Sequence, residues 1–176
     1  DKWGNLVSYT NTIESSHGIG VFAGYTREDG SFRNHGFLLN NELTDFNTSP
    51  SINPYTGGPG FNDVQPGKRP RSSMVPTMIF TPDGEPLIAY GSPGGATIIN
   101  SVFNVTLNLI DHKMSLQEAI NAPRVSITSA GSSIARDNGI APAAPLAQST
   151  VDGLTALGYT VGSPADIGSV QAVLVD

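Results

Sequence analysis

The run Gly91-Ser92-Pro93-Gly94-Gly95-Ala96 constrains this chain more than any other stretch. Upstream of it, Pro86-Leu87-Ile88-Ala89-Tyr90 has the apolar and aromatic character of a strand. Downstream, Ile98, Ile99, Val102, Val105 and Leu109 fall at helical spacing. The two adjacent glycines therefore sit at a strand-to-helix junction. They permit a tight turn and leave backbone N–H groups uncovered by side chains. The first N–H groups of a helix have no partner within it, so such a turn suits negative charge: a bound anion, or an oxyanion formed in a reaction. Short glycine motifs also serve as plain steric turns, so the functional reading depends on the residues around this one.

The remaining pattern is a layered α+β arrangement, with strands first, then helices, then strands again. Leu6 to Ile13 reads as a strand, Val21-Phe22-Ala23 as a short apolar run, Thr26 to Ser31 as an exposed loop, and Gly36 to Asn40 as a further strand. From Asp45 to Arg71 the chain carries five prolines and four glycines without periodicity, a long loop of the kind that is often functional. Met78-Ile79-Phe80 and Pro86 to Tyr90 flank the turn Pro82-Asp83-Gly84 and predict a hairpin. Ser115-Leu116-Gln117-Glu118 is a capping-box pattern that opens a second helix, ending before Pro123. Leu146 to Leu157 predicts a third helix, closed by Gly158, and strand character returns at Tyr159 to Val161 and Val170 to Val175.

The 176 residues suffice for a single domain with a real core. The net charge of −6, with no basic stripe carrying interleaved aromatics, points away from a nucleic-acid partner. No apolar run reaches the ~18 residues of a membrane span. The chain has no cysteine, which removes disulfides, thiolate catalysis and cysteine-bound zinc. His17, His35 and His112 show no paired spacing, so neither a metal nor a cofactor is expected. Asp1-Lys2-Trp3-Gly4-Asn5 reads as a turn between strands, and Gln171 to Asp176 stops in a strand-like run. Both suggest a piece of a longer protein, with any targeting signal outside it.

Four polar clusters fall at the ends of these elements. Thr12 and Glu14, two apart on the expected first strand, share one face. Glu42 and Asp45 follow Asn40-Asn41, Ser72 and Ser73 follow the Pro/Gly segment, and Gly94 and Gly95 precede the helix. Each alone has a plain explanation as a solvated face, a turn or a cap. Together, three carboxylates suit an ammonium, two hydroxyls a carboxylate, and bare amides an oxyanion. An amino acid with an acyl side chain satisfies all three. An obvious nucleophile is missing: there is no Gly-x-Ser-x-Gly elbow, no cysteine, and no Ser–His pairing that spacing supports.

The segments Asp1 to Asn5, Thr12-Ile13-Glu14, Leu39 to Phe46, Lys68-Arg69-Pro70-Arg71-Ser72-Ser73-Met74, Gly91 to Ala96, Ala122-Pro123-Arg124 and Asp166 to Gln171 together resemble the small subunit of bacterial γ-glutamyltranspeptidases, in order and across nearly the whole chain. The resemblance implies an N-terminal-nucleophile hydrolase fold, an αββα four-layer sandwich shared with a large subunit. It implies a precursor that cuts itself, so that a new N-terminal Thr becomes the nucleophile. That Thr attacks the γ-glutamyl amide of glutathione or a related donor, and the γ-glutamyl-enzyme passes its acyl group to water or to an acceptor amino acid or peptide. By position, Thr12 matches the residue that hydrogen-bonds the nucleophile. Glu14, Glu42 and Asp45 match the grip on the donor's α-ammonium, Ser72 and Ser73 the contacts to its α-carboxylate, and the Gly94 and Gly95 amides the oxyanion hole. The resemblance further implies a periplasmic or secreted location.

Three departures bear on that reading. The catalytic Thr precedes the position of Asp1 in the family and is not in this chain, so the fragment alone is expected to be inactive. The large subunit, with the arginine that pairs with the donor carboxylate, is also outside it. Tyr25 to His35 reads as an insertion, and His17 stands where an aromatic residue is common. Two alternatives remain: a related cephalosporin or glutaryl acylase, which has no need of the three-carboxylate grip, and a non-catalytic module of the same fold.

Overall fold

The computed structural model describes residues 1–129, 131–139 and 143–175. They fall into two compact units, one of Asn11–Ser72 and one of Asp1–Thr10 with Ser73–Asp176.

In the unit Asn11–Ser72, β1 (Phe22–Thr26) and β2 (Phe32–Leu38) form an antiparallel hairpin. The exposed loop expected from Thr26 to Ser31 is the turn of this hairpin, spanning residues 27–31, with Thr26 as the last residue of β1. Arg27 N–H donates to Ser31 O at 2.8 Å and Gly30 N–H to Arg27 O at 2.9 Å. A register shift between Phe22 and Gly24 breaks the regular alternation that marks a strand in sequence. The Tyr25–His35 segment is thus the body of this hairpin. Tyr25, His35 and Phe37 line up along it, with ring centroids 5.8 Å and 6.3 Å apart.

The hairpin leads into a 3-10 turn, Glu42–Asp45. The Pro/Gly-rich segment that follows has no strand, only an isolated bridge between Ile52 and Pro59. Buried Asp63 organises it. Its carboxylate accepts from Asn47 Nδ2 at 2.8 Å, Ser51 N and Oγ at 2.9 Å each, and Gly60 N at 2.8 Å. These bonds, the Ser51 amide first, hold the Asp63 pKa down at about 2.

In the other unit, β3 (Thr77–Phe80) and β4 (Pro86–Gly91) form the expected hairpin, and β4 also pairs antiparallel with a C-terminal strand. Helix α1 (Ile98–Ile110) buries Ile98, Val102 and Val105 in one cluster with Ile88 and Tyr90 of β4. Helix α2 (Leu116–Asn121) begins with the predicted capping box: Ser115 Oγ accepts from Glu118 N–H, and the Glu118 carboxylate accepts from Ser115 N–H at 3.0 Å. Two short strands then appear that the sequence reading did not anticipate, β5 (Val125–Ser126) and β6 (Ile134–Asp137). Helix α3 (Gln148–Ala156) precedes β7 (Val161–Ala165), which pairs parallel to β6. The last strand, β8 (Gln171–Leu174), is the one beside β4.

No strand forms from Leu6 to Ile13, contrary to expectation. Strand-prone side chains need a ladder partner to make a strand. The segment makes isolated bonds in place of a ladder: the Ser8 hydroxyl donates to Tyr90 O at 3.2 Å, and Ile13 O accepts from Asn41 N–H at 3.2 Å.

Candidate active site

Glu14 is not strand-borne, so it does not share a strand face with Thr12. Its φ is +74°, in the left-handed region that non-glycine residues seldom occupy. Thr12 Oγ1 accepts from Glu14 N–H at 2.9 Å and closes the turn. The Glu14 carboxylate is then caught from several sides. Ser15 Oγ donates to it at 2.8 Å, Thr44 Oγ1 at 3.2 Å, and Asn41 Nδ2 also donates to it. The Ser15 hydroxyl leads the interactions that lower its pKa below the ordinary 4.5.

Asn41 is the hub of this cluster, and the sequence reading gave it no role. Besides Glu14, its Nδ2 donates to Thr44 Oγ1 at 3.0 Å, its Oδ1 accepts from Ser15 N–H at 3.0 Å, and its own N–H donates to Ile13 O at 3.2 Å. It occupies the N-cap position of the 3-10 turn, yet its side chain is turned away from that duty. The signal available was the cap-like Asn41-Glu42-Leu43-Thr44 spacing; the long-range contact to Glu14 was not readable from it.

The 3-10 turn puts Glu42 and Asp45 on the same short element. Partial burial raises the pKa of Glu42 above 4.5, and the charges of Asp45 and Glu14 raise it further. Three carboxylates thus gather in one place, at an electrostatic cost that a cation would offset. Asp45 is followed by buried Phe46. At the far end of the same unit stands Ser72, exposed, with Ser73 opening the other unit. Asn62 connects to both neighbourhoods within its unit: its Nδ2 donates to Asp45 O at 2.7 Å, and its Oδ1 accepts from Arg71 N–H at 2.9 Å.

In the other unit, the glycine turn lies between β4 and α1 as predicted. The first helical hydrogen bonds run from Thr97 N–H to Gly94 O and from Ile98 N–H to Gly95 O, so the helix does not use the N–H groups of Gly94 and Gly95. Gly94 has φ +141°, and a Cβ there would lie 2.7 Å from Thr97 Oγ1 and 2.8 Å from Ile167 O. Gly95 has φ +56°, and a Cβ there would meet nothing within 4 Å. One glycine is demanded by packing and the other faces open space.

The turn rests on Ile167-Gly168, a support the sequence reading did not identify. Thr97 Oγ1 and Ser101 Oγ donate to Ile167 O at 2.6 Å and 2.8 Å. Arg124 Nη2 donates to Gly168 O at 2.8 Å, and Arg124 Nε donates to Asp137 Oδ2 at 2.9 Å. The Arg124–Asp137 pair is buried, each side chain 5% exposed. Among the described residues, no group of three or more His, Cys, Asp or Glu is arranged to hold a metal ion.

The family model of γ-glutamyltranspeptidase matches residues 1–176. This chain belongs to the γ-glutamyltranspeptidase family. It is 41% identical to the glutathione hydrolase proenzyme of Bacillus subtilis subsp. natto, a match covering 100% of this chain and 26% of that protein. It therefore spans about a quarter of the length of the relative it matches. Among solved structures it resembles the γ-glutamyltranspeptidase of Pseudomonas nitroreducens complexed with L-DON, at TM-score 0.79 and 36% identity, covering 100% of this chain and 86% of that one. It also resembles a T380A mutant of the Helicobacter pylori γ-glutamyltranspeptidase, at TM-score 0.79 and 34% identity, covering 99% and 87%. The expected α+β architecture of N-terminal-nucleophile hydrolases is therefore the fold of this γ-glutamyltranspeptidase chain. Among its described residues, no helix is long and apolar enough to cross a membrane.

Proposed function

We propose that this chain is the small-subunit part of a self-cleaving γ-glutamyltransferase or glutathione hydrolase, and that its partner is the large subunit of the same precursor. The observation that carries the reading is the carboxylate cluster of Glu14, Glu42 and Asp45. Burial first, and then the charges of Asp45 and Glu14, drive Glu42 toward its protonated form, and an α-ammonium is a ligand that offsets that cost. Ser72 and Ser73 then take the donor's α-carboxylate, which makes the recognised group an amino acid.

The chemistry follows from that grip. The hydroxyl of a Thr preceding Asp1, with Thr12 as its hydrogen-bond partner, attacks the γ-carbonyl. The carbonyl oxygen becomes an oxyanion facing the Gly94 and Gly95 amides. The C–N bond breaks, the amine leaves with a proton, and a γ-glutamyl ester remains on the Thr. Water releases glutamate, or an acceptor amine takes the acyl group and a new amide forms. An ammonium–Asp45 contact contributes about 1.5–3 kcal/mol, as hydrogen bonds to charged groups do. One oxyanion donor contributes about 3–4 kcal/mol to the transition state. By the same resemblance, the work is done in the periplasm or outside the cell.

The test is release of p-nitroaniline from γ-glutamyl-p-nitroanilide by the complete, verifiably self-cleaved protein. Release at rates far above background supports the assignment. No release, or turnover of a glutaryl anilide in its place, overturns it.

A further inference from the structure

We propose that Asn62 is a positioning residue that sets the distance between the two ends of α-amino-acid recognition, Asp45 and Ser72. The inference rests on the donor reading above. A rigid amino acid needs its ammonium and carboxylate partners at a fixed separation, yet these two residues are joined by the Pro/Gly-rich segment without a strand ladder. The Asn62 side chain spans that gap. Its Nδ2 donates to Asp45 O, 17 residues back, at 2.7 Å, and also reaches Asn47 Oδ1 at 3.5 Å. Its Oδ1 accepts from the N–H of Arg71, 9 residues forward and adjacent to Ser72, at 2.9 Å. Its backbone is fixed as well: Asn62 O accepts from Asn47 N–H at 2.8 Å. Buried Asp63 next door gathers Asn47, Ser51 and Gly60. The amide uses its donor on one side and its acceptor on the other, as the NH₂ and C=O of a primary amide allow. A support of this kind holds binding groups in productive geometry without touching the ligand.

The test uses the complete self-cleaved enzyme. Asn62→Asp keeps the acceptor for Arg71 and removes the donor to Asp45. Expected is a rise of about tenfold in KM for γ-glutamyl-p-nitroanilide with kcat within about twofold, since only a binding geometry is lost. The double variant with Asp45→Asn is expected to be no worse than Asp45→Asn alone. An unchanged KM in Asn62→Asp, equal losses in KM and kcat, or additive effects in the double variant each overturn the positioning role. If Asp45→Asn itself leaves KM unchanged, the donor reading falls and this inference with it. Should Asn62→Asp fail to self-cleave, amide exchange in the unaltered enzyme decides. Slowed exchange of the Arg71 N–H on adding glutamate supports the proposal, and no change overturns it.

Discussion

At the scale of single residues, the two acids Glu14 and Glu42 sit in opposite electrostatic situations. Hydroxyl and amide donors hold Glu14 ionised, while burial and two neighbouring carboxylates push Glu42 upward from 4.5. Because its folded pKa is raised, Glu42 favours the fold below its ordinary pKa, and that contribution is lost as pH rises through the folded value. A bound ammonium reverses the preference by favouring the carboxylate. Donor affinity is therefore expected to fall as pH drops through the raised Glu42 titration, and Glu42→Gln to flatten that acid limb in a profile of KM against pH. An acid limb unchanged in Glu42→Gln removes Glu42 from the grip. The two site glycines also separate by substitution. Gly94→Ala meets both a forbidden φ and close oxygens, so a large drop in melting temperature is expected. Gly95→Ala has space, carries about 1–2 kcal/mol of left-handed strain, and is expected to reveal itself in kcat, by up to ~10²-fold if the amide is displaced. Equal kcat for Gly95→Ala and the parent argues against an oxyanion role.

At the scale of elements, the Arg124–Asp137 pair ties the residue before β5 to the end of β6, and Arg124 also donates to Gly168 O. Removing one partner leaves a buried charge, so Arg124→Ala is expected to cost about 3–5 kcal/mol in denaturant unfolding. A loss below 1 kcal/mol contradicts that picture. Elements specified by neighbouring residues were legible in sequence. The capping box at Ser115 opened α2 where expected, and the apolar spacing from Ile98 to Leu109 found α1. The two- and four-residue strands β5 and β6 were missed because their definition lies in distant partners, Val125 with Arg136 and Ile134 with Val161. Leu6 to Ile13 shows the converse, strand-prone side chains without a ladder. The site followed the same division. The glycine turn and the acids were visible as residue types, whereas Asn41, Asn62 and Ile167-Gly168 act through contacts that no local pattern encodes.

At the scale of the whole molecule, large apolar side chains stand in solvent in both units. Phe32 and Phe37 of the hairpin are 56% and 58% exposed, and Phe103 of α1 and Val173 of β8 are 55% and 61% exposed. Exposed apolar surface drives association. Expressed alone, this chain is expected to elute from size exclusion as larger species, and co-expression with the proposed large subunit to suppress them. A monodisperse monomer that does not bind an apolar dye contradicts this. The interlock between two turns has a different consequence, for variation. A Cβ on Gly94 collides with Ile167 O, and one on Gly168 collides with Ser92 Oγ and Pro93 O. Each turn thus occupies the room the other would need in order to change. Libraries that randomise Gly94 alone are expected to return mostly misfolded chains. A side chain at position 94 needs the Ile167–Gly168 backbone to move with it, whereas position 95 has room for one.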